Sequence, residues 1–302
     1  MKLAFAILSY DQPQQLLRLV KTLNRLFDGP FIACHHNFHQ CALDESLFPP
    51  NASFIRPHIN THWGHITTPR AALRALRHLA DNHQPDWFFL LSGSDYPVRS
   101  AAEVFKDLSR ANCDAFLQHT EFRLDASPGN QSSEWGRQTF DRYWPYYFLL
   151  PHLSARRLFS GSQALTRRPY RIQNEGLKRL LRLHARRPER IYRGGFWFQA
   201  NKTAISALLD PRFEPLWRFY RNTQVPEEAA FHTALCSTPG LRISQDNKRY
   251  ENWSNGGSHP KWLELTDVPS IAASGAHFAR KFRPDGVLQD YIDKTILFAE
   301  KP

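Results

Sequence analysis

Two hydrophobic rhythms take turns along the first 110 residues. Unbroken apolar runs of five to seven residues read as buried strands, and apolar positions returning every three or four residues read as helices. Residues 3–9 (LAFAILS) form the first run. Leu16, Leu19, Val20, Leu23 and Leu26 then recur at helical spacing, with Asp11 placed to cap that helix and Pro13 tolerated in its first turn. PFIACHH predicts a second strand, and ASFIR a short third one. TTPRAALRALRHLADNH predicts a helix with Leu73, Leu76 and Ala80 on one face and Arg70, Arg74 and Arg77 towards the other. DWFFLLS and SAAEVFKDLSR supply the next strand and helix.

Strand and helix in alternation imply an α/β fold, a mostly parallel sheet with helices on both faces. The alternation returns later. GGFWFQANKTAISALL reads as strand then helix, and PEEAAFHTALCS as a helix opened by Pro226. Between them, at about 121–192, the pattern is irregular and rich in Pro and Arg. No repeat, low-complexity tract or linker divides the chain, so residues 1–302 are expected to form one domain carrying that irregular insertion.

Charge changes this picture at one place. The net charge is +11. From Arg156 to Arg193, twelve Lys or Arg stand against Glu175 and Glu189. Within it, EGLKRLLRLHARRPER suits an amphipathic helix with Leu177, Leu180 and Leu181 inward. Such a segment fits an anionic membrane surface, an acidic glycan or nucleic acid, or simply a solvated helical face. Cys34, Cys41, Cys113 and Cys236 show no C-x-x-C spacing, which argues against a zinc or redox motif and suits reduced thiols. The first apolar run is too short to span a bilayer and shows no cleavage site. A cytoplasmic protein, peripheral at the inner face of the cell membrane if the basic segment binds lipid, is the expectation.

Several chemistries lack their motifs. No G-x-G-x-x-G, G-x-x-x-x-G-K-[ST] or G-x-S-x-G is present. His35, His36 and His39 end a strand whose alternate residues point apart, with no acid close in sequence, a poor metal site. No Asp-x-Asp pair offers itself to a divalent metal. Two cation-rich stretches near the end, NKRYENWSNGGSHPKW and HFARKFRPDG, can instead neutralise an anionic leaving group. The strand WFFLLS runs into Ser94, Asp95 and Tyr96, a small acidic turn at a strand end, where α/β enzymes bind ligands.

In order along the chain, AFAILSYDQPQQLLRLVKTL, WGHITTPRAALRAL, FFLLSGSDYPVRS, GGFWFQANKTAISALL, VPEEAAFHT, YENWSNGGSHPKW and HFARKFRPDG resemble the core-2/I-branching glycosyltransferases. That family includes β-1,6-N-acetylglucosaminyltransferases and peptide O-xylosyltransferases. SGSDYP and FARKF are its most specific pieces here, and 121–192 its weakest stretch. The resemblance implies a GT-A type fold, a UDP-sugar donor, a glycan or glycoconjugate acceptor, inversion at the anomeric carbon and no metal cofactor. It implies Glu228 of Pro226-Glu227-Glu228 as general base and Lys281 as a diphosphate-binding cation. Lys261 is the choice for a second cation, with His259 in reserve and Arg280 beside Lys281. Leu8, Ser9, Asn37, Trp63, Gly64, Ser94, Asp95 and Tyr96 are expected around the donor, and Glu121, Arg142 and Trp197 around the acceptor.

This sequence departs from the family in three ways. It starts at its first strand, without the anchor and stem of animal relatives. It lacks a matching set of disulfide cysteines. Asn37 replaces the family's Asp, so contact with uridine or ribose there would use an amide. Phe196, where xylosyltransferase-like members carry Asp, leans towards a GlcNAc donor over xylose. A nucleic-acid or anionic-glycan binding protein without transferase activity would need none of the ordered acid and lysine motifs.

Overall fold

The computed structural model describes residues 1–123, 133–151, 167–172, 187–257 and 259–298. The predicted helix around Leu177–Leu181, and most of the basic segment, lie outside the described residues.

The strands β1 (Leu3–Ser9), β2 (Phe31–His36), β3 (Ala52–Phe54) and β4 (Trp87–Ser92) pair in parallel, in the order β4-β1-β2-β3. The third strand ends at Phe54, two residues short of the end of the predicted ASFIR stretch. The chain then gives a two-residue strand β5 (Tyr96–Pro97), then β6 (Ala115–Phe116), β7 (Thr120–Arg123), β8 (Tyr146–Pro151), β9 (Arg167–Ile172), β10 (Arg190–Arg193) and β11 (Gln199–Asn201). It closes with β12 (Ile243–Ser244), β13 (Arg249–Glu251) and β14 (Phe278–Arg280). The main sheet runs β12-β6-β11-β4-β1-β2-β3, with β11 antiparallel to both neighbours. Six strands therefore share one direction and β11 reverses it, a mixed sheet. A second sheet, β13-β14-β5, and two antiparallel pairs, β7 with β10 and β8 with β9, lie beside it.

Alternation along β1 and β4 sorts side chains to two faces. Ala4, Ala6, Phe88 and Leu90 face one core, with Ala72, Ala75, Leu76 and Leu79 of α2 (Thr67–His83). The alanines let that helix approach the sheet closely. Its buried stripe is centred about one residue from the predicted face: Leu73 and Ala80 are only partly buried. Leu3, Phe5, Ile7, Phe89 and Leu91 face the other core, which takes Leu16, Leu19, Val20 and Leu23 of α1 (Pro13–Phe27). There Phe5 stacks on Phe89 with ring centroids 4.9 Å apart. Asp11 does not cap α1. Gln12 occupies that position in the left-handed region, and no side chain caps the helix. Ser100 does cap α3 (Ala101–Ser109), in a reciprocal box with Glu103.

Later helices are α4 (Glu134–Tyr143), α5 (Lys202–Leu208), α6 (Glu214–Tyr220), α7 (Ala230–Cys236), α8 (Val268–Ala273) and α9 (Val287–Ile292). The helix expected from Pro226 begins four residues later. Pro226–Glu228 form a 3-10 turn, and Ala229 breaks the spiral before α7. Among the described residues, no helix is long and apolar enough to cross a membrane. All four cysteines are free thiols.

Candidate active site

Register brings the carboxyl ends of β1, β2 and β4 level: Ser9 lies opposite His36, and Leu8 opposite Ser92. The turn after β4 folds back on Asp95. Its carboxylate accepts from the Ser92 N–H at 2.8 Å and the Ser92 hydroxyl at 2.9 Å. It also pairs with Arg249 Nη1 at 2.7 Å and Arg280 Nε at 3.1 Å. The Asp95 and Arg249 side chains are both fully buried. Arg249 spends a second nitrogen on the Leu90 carbonyl, and burial lowers its pKa.

Arg280 turns towards solvent from that node. Its guanidinium carbon lies 4.8 Å from the centre of the Trp197 ring, and Glu251 holds Nη1 at 3.4 Å. The next residue, Lys281, is half-buried. Burial and the neighbouring Arg280 lower its pKa, opposed by Asp11, Asp95 and Glu251. The Ser94 carbonyl accepts from Phe282 N–H at 3.0 Å, tying the SGSDYP turn to the FARKF stretch. Two adjacent cations thus stand at the sheet's carboxyl edge, one buttressed by a buried carboxylate.

Glu228 sits on a different kind of support. Val225, a β-branched residue, enters the left-handed region at φ 52° just before Pro226. That conformation costs on the order of 1–3 kcal/mol and persists only where the surroundings enforce it. The Val225 N–H donates to the Gly64 carbonyl at 3.0 Å, and its carbonyl accepts from the Tyr143 hydroxyl at 3.0 Å. The Glu228 carboxylate, about one-third exposed, is held by Arg193 at 3.0 Å and by Arg142. Both guanidinium groups meet Oε2; among the described residues Oε1 receives no hydrogen bond. Arg193 is fixed in turn by the Thr139 hydroxyl at 2.9 Å and by the Trp135 ring.

The segment from Arg193 to Trp197 joins the two centres. Arg193 reaches Glu228 at one end, and Trp197 lies under Arg280 at the other. Four residue steps span at most about 14 Å. Gly194 lies against the chain here: its N–H donates to the Glu228 carbonyl at 2.9 Å, and a Cβ would fall 1.9 Å from the Gln118 carbonyl oxygen. The shape of the bridge therefore depends on that glycine.

The residues expected around a donor divide into two groups. Ser94, Arg280 and Lys281 stand together, and Trp197, expected instead around the acceptor, lies beside them under Arg280. Lys261 and His259 are exposed nearby, and the Lys261 carbonyl accepts from Lys281 N–H at 3.4 Å. Burial, Lys281 and Arg280 lower the His259 pKa. Leu8 and Ser9 lie at the sheet edge, where Ser9 Oγ contacts His36 Nδ1 at 2.9 Å and the Leu8 carbonyl accepts from Gly93. Trp63 is exposed, and Gly64 beneath it is buried at φ 69°.

Three positions turn inward instead. Asp95 is closed to solvent by its partners, so it holds Arg280 and Arg249 rather than offering a free carboxylate. Tyr96 points to the other core, its hydroxyl bound to Thr22 at 2.8 Å and Asp293 at 2.8 Å. Asn37 is fully buried, and its amide nitrogen contacts Asn60 and Thr61. On the other side, Arg142 reaches Glu228, but Glu121 lies out on β7, paired with Arg190 at 3.5 Å and Tyr192 at 3.2 Å.

Sequence reasoning passed over Arg193, Arg249, Glu251 and Asp11 as site residues. Asp11, exposed at the end of β1, has its pKa raised by partial burial and restrained by Lys281 and His36. His36 itself binds the Cys41 carbonyl at 2.8 Å, and His35 accepts from Ile59 N–H. Among the described residues, no group of three or more His, Cys, Asp or Glu is arranged to hold a metal ion.

Residues 3–132 match the family model described as Branch: Core-2/I-Branching enzyme. The chain is 26% identical over 267 residues to the beta-glucuronosyltransferase GlcAT14A of Arabidopsis thaliana, across 82% of this chain and 53% of that protein. It is also 26% identical over 201 residues to xylosyltransferase 2 of Rattus norvegicus, across 64% of this chain and 19% of that protein. The chain thus spans about half the length of the first relative and much less of the second. A solved mannose-1-phosphate geranyltransferase from Thermus thermophilus aligns over 80% of this chain and 73% of its own, with a TM-score of 0.31 and 12% identity. A structural likeness that slight carries no argument. The sequence similarity links this chain to glycosyltransferases, and its first 130 residues to a core-2/I-branching-like domain.

Proposed function

We propose that the chain is an inverting glycosyltransferase of the GT-A type that moves a sugar, GlcNAc by the Phe196 argument, from a UDP-sugar to a hydroxyl of a glycan or glycoconjugate without a divalent metal. The observation that carries this reading is the bridge from Arg193 to Trp197. It links a carboxylate with one uncommitted oxygen, through five residues of chain, to Arg280, which Asp95 and Glu251 hold, and to its neighbour Lys281. In the proposed reaction the acceptor oxygen bonds to the anomeric carbon as the bond from that carbon to the phosphate oxygen breaks. The electron pair of that bond leaves with UDP, and the acceptor proton passes to Oε1 of Glu228. Lys281 and Arg280 meet the charge that grows on the diphosphate.

The Arg142 and Arg193 contacts hold Oε2 and orient the carboxylate, leaving the other oxygen to face the acceptor. The names of the relatives favour a second reading of the donor: they are a glucuronosyltransferase and a xylosyltransferase. The acceptor, and contact of the 156–193 segment with an anionic membrane in a cytoplasmic setting, belong to the proposal as well.

The test is a panel of UDP-GlcNAc, UDP-xylose and UDP-glucuronate, each in EDTA, read by thermal shift and by UDP release. UDP and one sugar nucleotide should raise the unfolding midpoint, because a ligand bound only by the folded state stabilises it. Turnover restored only by added manganese or magnesium contradicts the metal-free reading. A panel with neither shift nor turnover contradicts sugar transfer itself.

A further inference from the structure

Glu227 is an unusual neighbour for a base. It follows Pro226 in the same 3-10 turn, yet its side chain runs inward rather than to solvent. Oε1 accepts the Gly64 N–H at 3.2 Å, and the Gly64 carbonyl in turn accepts the Val225 N–H at 3.0 Å. Turn and loop are therefore laced by two bonds, one of them through this carboxyl group. Gly64 and Val225 both stand at positive φ, so each half of the lacing holds a backbone shape that few residues adopt. Oε2 is buried with no hydrogen-bond partner among the described residues. An ionised carboxylate would leave a bare charge there beside Glu228, with no hydrogen bond to Oε2 to offset its burial. A neutral acid, with its proton on Oε2, fits the pocket far better.

We propose that Glu227 is a positioning residue: its neutral carboxylic acid bolts the Trp63–Gly64 loop to the turn carrying Glu228, and so sets where the base points. This rests on the reading of Glu228 as the base. Burial raises the Glu227 acid to about 7, against the Glu227 and Gly64 backbone hydrogen bonds and Arg142, which lower it, while Glu228 adds to the shift. The other groups facing this turn are Tyr143 on α4, bound to the Val225 carbonyl, and Arg193 on β10, paired with Glu228. His62 and His65 flank Gly64 in sequence on the loop. Ionisation of Glu227 would put a second carboxylate in competition for Arg142 and weaken the hold on Glu228. The folded chain binds this proton more tightly than the unfolded one, whose value is near 4.5. The stability contributed by the group is thus complete below that value and declines as pH rises to about 7.

Hydrogen exchange at Gly64, corrected for the intrinsic effect of pH, reads the lacing without any sugar present. With titration near 7, the neutral fraction falls about tenfold between pH 6 and pH 8. Gly64 protection in the wild type should fall by about the same factor. Glu227→Gln keeps an acceptor for the Gly64 N–H, so its protection should stay flat; Glu227→Ala should be poorly protected throughout. The kcat of the wild type should decline over the same interval while that of Glu227→Gln does not. A wild-type protection that does not fall, or an equal fall in Glu227→Gln, overturns the proposal whether or not sugar is transferred. Unchanged kcat in Glu227→Ala overturns the positioning role. Absence of transfer by the wild type with any donor counts instead against Glu228 as a base, since the exchange result stands apart from it.

Discussion

The Asp95 node with its arginines and the turn carrying Glu228 hold their charges in opposite ways. Asp95 is surrounded: two arginines, a backbone N–H and a hydroxyl meet it out of reach of water, on strands tied by sheet pairing. Glu228 is partly exposed, held through one oxygen, on a short turn launched by a strained Val225. The first arrangement suits a site that must meet developing charge without rearranging, because preorganised groups need no reorganisation when the charge appears. The second suits a group that must exchange partners during a proton transfer. The contrast is between an anchor closed to solvent and a partly exposed arm, joined by the Arg193–Trp197 bridge.

The sharpest way to break this comparison is to remove the anchor's keystone. Asp95→Ala leaves Arg249 buried without its carboxylate, and breaking such a pair typically costs about 3–5 kcal/mol. Urea unfolding should show that loss. A change within the error of the wild type would mean that the buried node is not the support described here. A smaller effect should come from Lys281→Ala, which removes a charge beyond the node without opening it. Losing a charge-assisted hydrogen bond to the diphosphate should weaken UDP binding by roughly 1.5–3 kcal/mol, with unfolding little changed. Calorimetry with unaltered UDP affinity would take Lys281 out of the site.

The same contrast explains what the sequence made legible. Long apolar runs and helical spacing revealed β1, α1, β2, α2, β4 and α3, because each buries a regular face. The cation-rich stretches marked the region of Arg280 and Lys281, while the roles expected of Lys281 and Glu228 came from the family resemblance and not from spacing or composition. Arg249 and Glu251 stayed hidden because β13 has three residues, too few to show a period, and because Arg249 meets its partner 154 residues away. Arg193 was counted as one charge among twelve, and only the fold separates it from the rest. Asp95 and Tyr96 were read as a ligand-facing turn. The turn is at the sheet edge as expected, but Asp95 points into the buried arginine node and Tyr96 into a core, directions that neither composition nor spacing encodes. Glu227 and Glu228 are adjacent and chemically alike; the 3-10 turn sends one inward and the other outward.

The most direct test of the account is Glu228→Gln, assayed for turnover with the best UDP-sugar beside calorimetry for UDP. Glutamine keeps the shape of the arm and cannot take the proton as a carboxylate does. Turnover should fall by about 10²–10⁴ while UDP affinity stays at the wild-type value, because the anchor is untouched. Near-normal transfer by Glu228→Gln, or a loss of UDP binding in step with the loss of turnover, would contradict the division between a cation anchor and a catalytic arm.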